Sequence, residues 1–235
     1  MLADVPHILK NIRNALLNNG TIWLSPDILR EADLVPESSA NYNVIVRLYH
    51  FLQDQKKQGH LLTLAPHLTK EAIFPGPFAK MKVNLARSVM SKETAVAIRF
   101  VVQHYPEKFH KEDLTTAFFI ESVDNWYNIM NNRKLSLAFS RKNPEAHAEV
   151  ISYLVWFMSM YGSCKLHHKQ QDDTLKPSQE GVLLSTSSIL YLQEKLLNQG
   201  FDWVLSARFS NDGIENYHSV VRSKDKAPTP LKFKR

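Results

Sequence analysis

The chain has 235 residues, with 29 Lys and Arg against 23 Asp and Glu and a net charge of +6, a length that suits one sizeable core or two small ones. Apolar residues at 44% exclude general disorder. Seven widely spaced glycines exclude both a G-x-G-x-x-G turn and a G-x-x-x-x-G-K-[ST] loop, and a single cysteine excludes an internal disulfide and a cysteine-based zinc knuckle.

Helical spacing dominates from the start. Residues 4–17 read as a helix with Pro6 in its first turn and Ile8, Leu9, Ile12 and Leu16 on one side, stopped by Gly20. The run 41–58 is amphipathic through Val44, Leu48, Phe51 and Leu52 and ends at Gly59. Residues 60–77, with Pro66, Pro75, Gly76 and Pro77, read as a loop. Helices are then predicted over 78–90, 92–104, 114–131 and 145–161. The longest apolar stretch, 150–161, falls short of the roughly 20 residues a bilayer span needs and reads as a buried helix, so no membrane is expected.

Residues 165–180 are polar, include His167-His168 and Pro177, and read as a linker. A helix over 182–198 follows, then a short strand at 201–205 and a last helix over 214–222. The first residues lack a basic stretch and a long apolar run, which predicts no secretory leader, and the lone cysteine fits a reducing, intracellular setting. Charge is uneven: residues 39–142 carry +7 and residues 223–235 carry +4 in an otherwise mildly acidic chain. The first zone reads equally as solvated helix faces or as a cationic surface, and the tail as a phosphate-neutralising arm or a frayed terminus.

Several clusters carry chemistry. Asp212 and Glu215, three apart on one helix end, suit either a divalent cation or a capping box. Asp4 just before Pro6 is either a helix cap or the end of a catalytic strand. Lys80 and Lys82 at a helix start oppose the macrodipole, which is tolerated on a surface and also suits a bound phosphate. In the helix over 114–131, Trp126, Ile129 and Met130 point inward, while Asp124, Asn128 and Asn131 share a flanking face that suits a purine edge or plain water.

These motifs, in order, resemble the P-element transposase family, including relatives with THAP-type zinc fingers. The carrying segments begin at Asp4-Val5-Pro6-His7 and run to 14, at Lys80-Met81-Lys82-Val83-Asn84 and run to 86, and at Val123-Asp124-Asn125-Trp126-Tyr127-Asn128 and run to 131. They continue with Gly181-Val182-Leu183-Leu184 to 186, Asn211-Asp212-Gly213-Ile214-Glu215-Asn216-Tyr217 to 222, and Pro228-Thr229-Pro230-Leu231 to 234.

The resemblance implies a mainly α chain: a helical GTP-binding insertion domain at 35–175, flanked by incomplete RNase H-like α/β segments at 1–34 and 176–235. It implies Asp4 and Glu215 as catalytic carboxylates that hold Mg²⁺, and Lys10 and Arg13 near DNA phosphates. For GTP it implies Lys70, Lys82, Val83, Asp124, Asn128 and Asp212. The implied partners are transposon-end DNA, GTP, and a second copy or a full-length transposase, in the nucleus. The family's first catalytic aspartate lies upstream of the position that Asp4 matches, and only three residues precede it here, so the chain alone is expected to be inert as a nuclease. Three functions follow for test: a transposase-derived GTP-binding fragment, a non-enzymatic regulator that binds DNA or intact transposase, and a helical interaction module with neither ligand.

Overall fold

The computed structural model describes residues 4–59, 64–166 and 174–210. Helix α1 (Val5–Asn19) starts where the Asp4 side chain accepts from the His7 amide, and it ends at Gly20, whose φ of 75° is left-handed and favours glycine. A small antiparallel hairpin follows. Its strands β1 (Thr21–Trp23) and β2 (Ser39–Asn41) pair Ile22 with Ala40, both fully buried, and are joined through the short helix α2 (Pro26–Glu31). Next come α3 (Tyr42–Lys57), the single turn α4 (Lys70–Ile73), a 3-10 turn at Ala79–Met81, α5 (Val83–Val89) and α6 (Lys92–His104). The long helices α7 (Leu114–Met130), α8 (Pro144–Ser163) and α9 (Pro177–Asn198) complete the block.

α7 runs through the centre, buried on most of its circumference, with Phe119, Ile120, Val123 and Trp126 all inaccessible to solvent. Trp126 stacks on Phe157 of α8 at 5.4 Å between ring centres, and Phe157 stacks on Tyr161 at 6.0 Å. The polar ends of these rings are satisfied: the Trp126 indole donates to Thr186 Oγ1 at 2.9 Å, and the Tyr161 hydroxyl donates to Ser178 Oγ at 3.0 Å, both on α9. Gln179 closes the end of α8. Its amide nitrogen reaches the carbonyls of Tyr161, Gly162 and Cys164 at 2.9–3.1 Å, and its oxygen accepts from the Lys176 amide at 3.0 Å. Burial pushes the Cys164 thiol up to about 12, so it is an inert core group.

The structure departs from the sequence reading in five places. The predicted helix over 78–90 is broken at Lys82, whose ψ of 119° is extended, so a 3-10 turn precedes α5. The predicted loop at 60–77 contains α4. Residues 201–205 form no strand; only Val204 pairs, as an isolated bridge to Phe139. The linker at 165–180 yields at Pro177, which opens α9 five residues early because proline suits a first helical turn. α8 buries only one face, through Leu154, Phe157, Met160 and Tyr161, and leaves Val155 half-exposed.

One continuous cluster of buried side chains runs from Val5 to Val204 and crosses the expected borders at 34/35 and 175/176. Among the described residues the only sheet is the two-stranded hairpin, so no RNase H-type sheet is seen in the flanking segments. The predicted helix over 214–222 lies outside the described residues. No helix among the described residues is long and apolar enough to cross a membrane.

Candidate nucleotide site around helix α5

Asp4 acts as a cap. Oδ2 accepts from the His7 amide at 3.4 Å and pairs closely with His7 Nδ1, while the buried Oδ1 has no hydrogen-bond partner. Its expected companion Glu215 lies outside the described residues, as does Asp212, expected at the nucleotide, and among the described residues no group of three His, Cys, Asp or Glu side chains is placed to hold a metal. Of the expected Mg²⁺ pair, Asp4 is the member among the described residues and supplies one carboxylate.

Lys10 and Arg13, expected at DNA phosphates, are both buried. Arg13 is wholly enclosed: Nε donates to Asn14 Oδ1 at 2.9 Å and Nη2 donates to the Lys80 carbonyl at 3.1 Å. In this structure Arg13 faces the interior. The reason is that α1 is covered on several sides, by β1, α5, α7 and α9. Desolvation holds the Arg13 guanidinium below its ordinary value, a shift that neighbouring Tyr42 opposes.

Of the residues expected to contact nucleotide, Lys82 and Val83 stand at the start of α5, Lys70 opens the adjoining α4, and Asn128 with Asp124 lies toward the other end of α5, while Asp212 lies outside the described residues. At the start of α5, Lys82 is the capping residue and makes no side-chain cap bond; its ammonium reaches Glu71 Oε1 at 2.8 Å. Glu71 belongs to α4, whose first residue is Lys70, so Lys70, Lys82 and Val83 lie on adjoining elements, with Lys70 exposed. At the other end, Arg87 Nη2 donates to Asn128 Oδ1 at 3.3 Å, and Asn128 Nδ2 donates to Asp124 Oδ2 at 3.1 Å. The Arg87 guanidinium also sits 5.3 Å above the Tyr127 ring. By helical rise the two ends are about 9 Å apart.

Asp124 is buried, and burial raises its carboxyl above the usual range, against the opposing pull of Arg87, the Lys92 backbone and Asn128. The Lys82–Glu71 pair is exposed on both sides, and such a pair contributes about 0–1 kcal/mol. An incoming polyanion displaces it at little cost. A desolvated carboxylate at one end of a short helix and exposed lysines at the other suit a ligand with hydrogen-bond donors on one part and negative charge on another.

Sequence reasoning missed Arg87 and Tyr127, although Arg87 lies one turn beyond Val83 and so shares its side of α5. It also missed a cavity of about 610 Å³ that abuts Asn128 and is bordered by Phe139, His147, Tyr153 and Trp203. No sequence signal marks that cavity, because its walls come from separate elements.

A family model described as "TNP-like, GTP-binding insertion domain" matches residues 6–144. A solved structure, the Drosophila P element transposase strand transfer complex, is similar with a TM-score of 0.73 at 21% identity. That likeness covers 99% of this chain and 49% of the transposase chain, so the chain spans about half the length of the protein it resembles. At this identity the likeness establishes the fold. No curated protein matches.

Proposed function

The chain belongs to the family of TNP-like GTP-binding insertion domains, and on that premise we propose that it binds GTP around α5 as part of a P-element-type transposase or a protein derived from one. The observation that carries this reading is the gathering of residues 70, 82, 124 and 128, far apart in sequence, about one short helix. Lys70 and Lys82 serve the phosphates as displaceable cations. Ionised Asp124, held in orientation by Asn128, accepts the donor edge of guanine, an edge that adenine lacks.

Isothermal titration of the 235-residue chain tests the reading. GTP binds saturably and more tightly than ATP. Lys82→Ala weakens GTP by about tenfold, or ~1.4 kcal/mol, and Asp124→Asn removes most of the preference for GTP over ATP. Absence of saturable GTP binding, or equal affinity for ATP, overturns the proposal.

DNA as partner, a full-length transposase or second copy as companion, and the nucleus as place of work belong to the same proposal. We place Asp4 in this chain as a helix cap. The chain alone binds without cutting, and nicking of transposon-end DNA by it with Mg²⁺ or Mn²⁺ refutes that placement.

A further inference from the structure

Arg13 is an oddity in physical terms. Its guanidinium is buried completely and has no carboxylate partner among the described residues, and its Nη1 makes no hydrogen bond. A buried charge left without an opposite charge is strongly destabilising. What Arg13 does hold is one carbonyl. Its Nη2 and the Asn14 side chain both reach the Lys80 oxygen, at 3.1 and 3.5 Å, while the Lys80 ammonium turns outward to Asn18 Oδ1 at 2.9 Å.

Three residues of α1 therefore grip residue 80 by both its backbone and its side chain. The turn is closed further by the amides of Lys80, Met81 and Lys82, which donate to the carbonyls of Gly76, Phe78 and Ala79. It carries Lys80, whose ammonium turns to Asn18, and Lys82, whose ammonium pairs with the exposed Glu71, above a third cation that is buried, so that an anion displacing Glu71 meets positive charge both on the turn and beneath it.

We propose that Arg13 is a positioning residue for an anionic ligand: it fixes the 80–83 turn from beneath and adds an uncompensated positive charge there, so that the phosphate chain of a nucleotide is held. This rests on the GTP reading above and adds to it a residue that never touches the ligand. Its role differs from a direct phosphate contact, because the guanidinium acts through the Lys80 carbonyl and through its field.

The test compares Arg13→Met with the unaltered 235-residue chain, reading the unfolding midpoint and the dissociation constants for GTP, ATP and inorganic tripolyphosphate. An apolar side chain of similar length in place of an unpaired buried charge leaves the midpoint unchanged or higher. GTP and tripolyphosphate weaken at least tenfold, and the ratio of GTP to ATP affinity is unchanged because Asp124 is untouched. Wild-type affinity in Arg13→Met overturns the proposal, as does a fall in midpoint with binding intact.

Should Arg13→Met fail to fold, Asn14→Ala, which removes one grip on Lys80 and keeps the charge, weakens tripolyphosphate severalfold in a folded chain; no change there overturns the proposal. A wild-type chain that binds tripolyphosphate in an Arg13-dependent way but not GTP sinks the GTP reading alone. One that binds neither sinks both.

Discussion

Trp126, Tyr161 and Gln179 lie where α7, α8 and α9 meet, and the polar end of each finds a partner on a neighbouring segment. Arg13 lies between α1 and the turn at Ala79–Met81, equally buried, and one of its terminal nitrogens finds none. In the first region hydrogen bonding offsets the cost of burying polar atoms, so the aromatic stack adds its full apolar burial to stability. In the second, part of that cost is left standing. Local rules are broken chiefly where a protein does something other than stay folded, and the contrast supports the proposal that the α1–α5 side is the working face.

Trp126→Ala breaks the comparison on its stable side with the largest effect. It empties the stack on Phe157 and strands Thr186, and it costs about 3–5 kcal/mol in urea unfolding. Gln179→Ala leaves the carbonyls at the end of α8 without their shared donor and costs about 1–3 kcal/mol. An effect near zero for either variant means that this region does not hold the fold.

On the working side the expected changes in stability are smaller, and one has the opposite sign. Burial holds the Asp124 carboxyl above its ordinary value. Between the unfolded and folded values the folded chain keeps a proton that the unfolded chain releases. Stability from this group is therefore fully present at acid pH and is lost as pH rises through the folded value. Asp124→Asn is accordingly no less stable at neutral pH and shows a flatter midpoint-against-pH curve through the acid range, whereas GTP affinity of the unaltered chain rises with pH as the carboxylate ionises. A steeper curve in the variant contradicts the burial argument. Lys82→Ala changes stability least, by less than about 1 kcal/mol, since it removes only an exposed pair.

Much of the helical block is legible in the sequence. The predicted span 41–58 meets α3 at Tyr42–Lys57, and 92–104 meets α6 residue for residue, because each has a clean apolar stripe and a capping side chain, Asn41 or Ser91. The hairpin is not legible: three-residue strands are too short for alternation to register, and their pairing is decided by burial of Ile22 and Ala40 against the helices. Val204 shows the converse, where an apolar run meets one partner and stops.

Among the site residues, Arg13 is instructive. It falls four positions after Leu9 and three before Leu16, on the same stripe, so spacing alone puts it inside. Its charge is what argues for the surface, and the packing of α5 against α1 overrides that argument. The relation of Asp124 to Arg87 is invisible in sequence, since it depends on how α5 and α7 come to lie together.

Gly181, near the start of α9, has one further consequence. A Cβ placed on it would lie 3.3 Å from Cγ1 of Ile8, near the start of α1, so the missing side chain is what lets the two helices touch there. The polypeptide leaves from Ile8, builds seven more helices and the hairpin among the described residues, and returns to the same spot at Gly181. A long excursion whose departure and return coincide asks almost nothing of the chain that carries it: a host fold need open only a narrow gap to admit it, with little loop-closure entropy at stake. Widening that contact with a larger residue at 181 strains the seam where such an excursion joins, leaving the rest of the block as it was.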